Sequence, residues 1–167
     1  MKKRIISALC LLLLLGACLT TANARKQPVP HMYMFGFSAS FTDTIVYFTN
    51  IQQLDSVWVE SKNDFLQERE SYSQQLRSYL EQKHQMPHRT CVVFYNQKRD
   101  KLEKAYQKMM RLYTKSKDGL QHFDVRHLDD KSFHFNVIDL SEYVAQEEAA
   151  EAADRAARAA ATTVEEE

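Results

Sequence analysis

From Tyr33 to Phe41 the chain alternates: Tyr33, Phe35, Phe37, Ala39 and Phe41 fall on one side, Met34, Gly36, Ser38 and Ser40 on the other. Successive side chains of a strand point to opposite faces, so this period of two commits the segment to a sheet with one strongly apolar face. Thr44 to Asn50 continues as a second strand. A two-residue turn at Thr42-Asp43 pairs Phe37 with Phe48 and Ala39 with Val46, which keeps the apolar residues together.

The rest of the chain must cover that sheet. Ser56 to Glu60 (SVWVE) fits a short strand or the start of a helix. From Asp64 onward Phe65, Leu66, Tyr72, Leu76, Tyr79 and Leu80 follow helical spacing, with Asn63 or Asp64 as the cap and Pro87 closing the region. Thr90 to Tyr95 (TCVVFY) has no polar face and reads as a central strand buried on both sides. A second helix opens on Asp100 and Glu103 as a capping box and carries the stripe Leu102, Ala105, Tyr106, Met109 and Tyr113; Asp118-Gly119 stops it. Strands at His122 to Leu128 and Ser132 to Ile138 follow. A three-residue loop, Asp129 to Lys131, sets Val125 against Phe135 and Phe123 against Val137.

The expected fold is α+β: one mostly antiparallel sheet in the order β-β-α-β-α-β-β, with two helices covering a face. Residues 32–139 form this domain, preceded by an extended linker at 25–31 that holds Pro28 and Pro30. Residues 140–167 (AQEEAAEAADRAARAAATT and a terminal Glu165-Glu166-Glu167) form an appended Ala/Glu-rich helix or a disordered tail, because alanine favours helix but leaves little to bury.

Ahead of the domain, Lys2, Lys3 and Arg4 precede the apolar run Ile5 to Leu15. A bilayer-spanning helix needs about 20 apolar residues, so this is a secretory signal rather than a span. Two cuts compete. Ala22-Asn23-Ala24 suits removal of residues 1–24, whereas Leu15-Gly16-Ala17-Cys18 resembles a bacterial lipobox, which implies removal of residues 1–17 and a lipid on Cys18. Either cut makes the protein periplasmic or cell-surface, and membrane contact then comes only through the lipid anchor. Either cut also leaves no intramolecular disulfide partner for Cys91, so the fold rests on its core.

Charge is divided along the chain. Without Lys2, Lys3 and Arg4 there are 19 basic and 22 acidic residues; nine of the acids fall within 139–167, which leaves the body basic. The basic residues of the second helix, Lys101, Lys104, Lys108, Arg111 and Lys115, recur at steps of three and four, opposite Leu102, Met109 and Tyr113. They form a solvated face, a footprint for an anionic envelope component, or a counterpart for the acidic C-terminal helix. Export disfavours nucleic acid as the partner.

Catalytic signatures are scarce: there is no Gly-rich phosphate loop, no HExxH and no paired-cysteine motif. Cys91 lies within an apolar strand and reads as a core residue rather than a nucleophile. His122, His127 and His134 do not line up as metal ligands in the register above, and Arg126 stands opposite His134. No metal or cofactor is implied. Ser38 and Ser40 lack the strand-turn-helix setting of a nucleophile elbow; with Gly36 they outline a shallow groove beside Met34, Ile45 and Tyr47, which is a binding face or, as the favoured reading, the place where the appended helix packs.

The segment MYMFGFSASFTDTIVYFTNIQQLDSVWV, with RTCVVFY and the Lys-rich helix after it, resembles a group of small exported proteins of Bacteroidales that are uncharacterised. The unit from Cys91 to Leu128 is more distantly similar to half of a sporulation-related repeat, a resemblance that implies peptidoglycan binding. The expectation is an exported, non-catalytic binding or assembly module of the envelope. A glycan-binding domain and a small hydrolase or thiol enzyme are the alternatives.

Overall fold

The structure, a computed structural model, describes residues 25–115 and 122–164. Strands β1 (Lys26–Ala39), β2 (Ile45–Thr49), β3 (Gln52–Glu60) and β4 (Phe65–Leu66) lead into helix α1 (Arg69–His84). Strand β5 (Thr90–Asn96), helix α2 (Arg99–Thr114), strand β6 (Asp124–Leu128) and helix α3 (Ser141–Val164) follow. This is an α+β fold with one mostly antiparallel six-stranded sheet.

The sheet is built on β1. Its residues 26–34 pair with β3, and Phe37 and Ser38 pair with Phe48 and Tyr47 of β2. Residues 33–39 pair with β5 on the opposite edge, so β2 and β3 lie end to end along one side of β1. The two ladders are one residue out of phase, which marks a bulge at Asn50-Ile51. There the Gly36 N–H donates to the Thr49 hydroxyl at 2.8 Å instead of to a carbonyl, and Asn50 N donates to Leu128 O at 3.0 Å. Strand β6 lies parallel to β2, and β4 pairs with the far end of β3.

Alternation along β1 separates two cores, one on each sheet face. Met32 and Met34 join Tyr47, Cys91 and Val93 beneath Tyr72, Leu76 and Leu80 of α1. Phe35 and Phe37 join Val46, Phe48 and Phe94 beneath Leu102, Tyr106 and Met109 of α2. The rings of this second core interlock: Phe94 stacks on Phe35 at 4.9 Å, and Tyr106 meets Phe35 edge-on at 4.9 Å. The helices therefore lie on opposite faces, not together on one face as expected, because both parities of β1 are apolar.

Several local expectations need correction. The predicted pairing of Phe37 with Phe48 is observed, but the connection runs from Ser40 to Thr44 and is closed by Asp43 Oδ1 accepting from Ile45 N at 2.8 Å. The stretch 25–31 is extended as expected but is no linker, since Lys26 to Met34 pair with β3. Asn63 and Asp64 do not cap α1: Phe65 and Leu66 pair with Glu60 and Val59, and the helix starts at Arg69 after a left-handed Glu68. The capping box at Asp100 does not form, and Glu103 binds Arg99 at 2.8 Å instead. Asp118-Gly119 lies outside the described residues. Among the described residues β5 pairs only with β1, so it is an edge strand rather than a central one, with Cys91 and Val93 inward and Val92 exposed.

The largest departure is the C-terminal hairpin. Strand β6 forms, but its partner is β2, and residues 133–140 adopt no regular secondary structure. Phe133 and Phe135 are nevertheless buried against Tyr79 and Tyr72. Their backbone is held by side chains: Gln52 Nε2 donates to Phe133 O at 2.8 Å and Gln52 Oε1 accepts from Phe135 N at 2.9 Å. Gln75 binds Asn136 in the same way, through N at 2.8 Å and O at 2.9 Å, and Tyr72 OH accepts from Ile138 N at 3.2 Å. A primary carboxamide carries the donor and acceptor of a peptide group, so two glutamines stand in for a neighbouring strand.

Candidate functional site

Helix α3 begins where this strap ends. The Asp139 carboxylate accepts from Ser141 N at 2.9 Å and from Ser141 Oγ at 3.0 Å, which turns the chain into the helix. These donors, Ser141 N–H first, hold the Asp139 carboxyl below its ordinary value. Anchorage is confined to the first turns. Val144 is buried, Lys26 Nζ reaches Glu147 Oε2 at 2.6 Å, and the same ammonium sits 4.5 Å from the Tyr143 ring centre. That Glu147 contact raises the Lys26 pKa.

Beyond Glu147, residues 148–160 of α3 are exposed. The charged residues Glu147, Glu148, Glu151, Asp154, Arg155 and Arg158 line an open cleft of about 840 Å³, with Arg25, Lys26 and Glu60 opposite. Ala149, Ala153, Ala156, Ala157 and Ala160 do not line it and face away. At ~100° per residue the helix thus turns its charged side toward its own domain and an alanine side outward. The cleft mixes both signs, with Arg158 paired to Asp154 at 2.9 Å. It suits polar, multiply hydrogen-bonding groups rather than an apolar ligand.

The residues singled out in the sequence lie elsewhere. Lys101, Lys104, Lys108, Arg111 and Lys115 are all exposed on the outer side of α2, and α3 does not lie against them but packs at the start of β1. Cys18 and Ala24 lie outside the described residues. Gly36 and Ser38 do not form an outer groove and do not receive α3; α1 fills that space. A Cβ on Gly36 would lie 2.7 Å from Leu76 Cδ2 and 3.1 Å from Phe135 Cζ. His127 stacks on Phe48 at 6.3 Å with its Nδ1 3.3 Å from Tyr106 OH. Among the described residues no three potential metal ligands converge.

One polar cluster was invisible in the sequence. Arg89, its side chain 1 % exposed, donates through Nε to Ser38 Oγ at 3.1 Å and through Nη1 to Asp43 Oδ2 at 2.8 Å; its Nη2 donates to Ile45 O. Its guanidinium also lies 5.3 Å from the Tyr47 ring centre. Cys91 Sγ donates to Ser38 Oγ at 3.4 Å, and burial pushes the thiol pKa up. All three nitrogens of this arginine have partners within the protein, so the cluster clamps the β1–β2 connection and β5 together. A buried thiol with a raised pKa is a poor nucleophile.

No helix among the described residues is long and apolar enough to cross a membrane. Compared with known proteins, the chain matches no family model, no curated protein and no solved structure.

Proposed function

We infer that this chain is an exported envelope protein that works by holding a partner rather than by catalysis, with α3 and the charged cleft beneath it as the holding surface. The observation that carries the reading is α3 itself. A helix of 24 residues that buries only Val144 among its described side chains gains little stability from its own domain. Its length is accounted for by a contact outside that domain. The buried Cys91 and the committed Arg89 weigh against the thiol-enzyme alternative.

The test is photo-crosslinking in the native cell. A photoreactive residue at Ala149, Ala153 or Ala157 is expected to give a discrete adduct, while one at Gln97 gives none. Equal labelling at all four positions, or none, overturns the reading. The exposed row Lys101, Lys104, Lys108, Arg111 and Lys115 supports a second reading, capture of an anionic envelope glycan or phospholipid surface. Sedimentation with peptidoglycan or with anionic vesicles, lost on charge reversal of three of these residues, distinguishes it.

Export rests on residues 1–24 and is tested by the intact mass of the cellular protein: a start at Arg25, or a diacylglyceryl addition at Cys18. The fold alters what the second outcome implies. Because pairing starts at Lys26 rather than near His31, a lipid on Cys18 leaves Leu19 to Ala24 as tether, reaching at most about 20 Å.

A further inference from the structure

The strap formed by residues 132–138 is bound to its own domain as a peptide ligand is bound to a receptor. Its side chains Phe133 and Phe135 enter the α1 face of the core, and its backbone is read by Gln52, Gln75 and Tyr72 through five hydrogen bonds. Among the described residues no main-chain bond ties residues 134–138 to the sheet. Segments taken up in this way are recognised by backbone pairing plus pockets for alternate side chains.

Three further facts bear on what occupies this groove. The strap lies after the last strand, so it leaves the groove without breaking any ladder of the sheet. It is joined to β6 only by the turn Asp129 to Lys131, where Asp129 Oδ1 accepts from Ser132 N at 2.8 Å and from Ser132 Oγ at 2.6 Å, and Asp129 O accepts from Ser132 N at 3.1 Å and from Phe133 N at 3.0 Å. The side-chain contacts are exposed, so opening the turn costs chiefly its two main-chain bonds. Finally, α3 is anchored only through its first turns, by the buried Val144 and a partly exposed ion pair between Lys26 and Glu147. A C-terminal segment with a short hinge, few main-chain ties and a self-complementary groove has the attributes of an exchangeable element.

We propose that the groove formed by Gln52, Gln75 and Tyr72 accepts the strap of a second copy of this chain, so that residues 132–164 exchange between two protomers. The exchanged dimer keeps every strap contact, now between chains, and opens only the Asp129 turn. It also places two α3 helices on one particle, which gives a pair of holding arms. The proposal does not depend on export or on the identity of any partner.

Complementation of two full-length variants tests it. Gln75→Ala damages the groove and keeps the strap; Asn136→Pro removes the strap N–H that Gln75 accepts and keeps the groove. Neither chain alone contains an intact pair, but a mixed exchanged dimer contains one. When the two are partly unfolded together and refolded at high concentration, the mixed dimer, identified by mass, is expected in excess of the twofold ratio to either homodimer that random pairing gives. A statistical mixture, or monomers only, overturns the proposal. Should either variant fail to fold, a photoreactive residue at the exposed Val137 in otherwise wild-type chains decides, with isotopically light and heavy copies refolded together. Light–heavy adducts onto α1 support exchange; adducts confined within single copies overturn it.

Discussion

Gly36 is the residue on which the α1 face turns. It is buried beneath Leu76 and Phe135, and any Cβ there forces one of them to move. Gly36→Ala is expected to lower unfolding stability by about 1–3 kcal/mol, the usual range for overpacking, as read by urea denaturation. Arg89 is the matching polar position. Arg89→Met keeps its apolar stem but removes the guanidinium hydrogen bonds to Ser38, Asp43 and Ile45 O, for an expected loss of about 2 kcal/mol. Cys91 has a raised pKa in the folded state, so its neutral form stabilises the fold below the unfolded thiol value, and that contribution is lost as pH rises through the folded value. Cys91 is also buried, so a thiol reagent at pH 8 is expected to label denatured protein much faster than native protein.

At the scale of elements, the start of α3 has a pH signature. The Asp139 pKa is depressed by Ser141, so its contribution is complete above the unfolded carboxylate value and disappears as pH falls through the folded one. Protection of the Val144 amide from hydrogen exchange, relative to an unfolded amide at the same pH, should hold from neutral pH to about pH 5 and fall only in stronger acid; its N–H donates to Leu140 O at 2.9 Å. Asp139→Ala is expected to lower that protection at neutral pH and to remove the transition. The strap ranks its two glutamines. Gln52 is buried, so Gln52→Ala strands two main-chain groups without water and should cost about 2–4 kcal/mol. Gln75 is bonded to the exposed Asn136, so Gln75→Ala should cost about 1 kcal/mol or less.

For the molecule as a whole, the arm is energetically separate from the two cores, which share the strands of one sheet. Residues 149–160 are exposed and line or face away from an open cleft, so ending the chain after Glu148 should leave thermal and urea midpoints of the domain unchanged within error. The same truncation is expected to abolish any adduct formed through α3. A large drop in domain stability instead would mean that α3 belongs to the fold rather than to a partner.

Much of the architecture could be read along the chain. The alternation in Tyr33 to Phe41, the Phe37–Phe48 register and the α2 stripe through Leu102, Tyr106, Met109 and Tyr113 follow from side-chain periodicity, a local property. The inward residues Phe133 and Phe135 were legible for the same reason. Periodicity does not report, however, what satisfies the backbone between them: Gln52 and Gln75 lie 81 and 61 residues away in sequence from the carbonyls they bind. The same limit hid the Arg89 cluster, whose partners Ser38, Asp43 and Ile45 come together only when β5 meets β1. It also misplaced β5, since Thr90 to Tyr95 is apolar on both faces whether central or at an edge. Side-chain pattern determines which face a residue presents; which segments become neighbours is settled by competition for backbone hydrogen bonds across the folded chain, and that competition has no local signature.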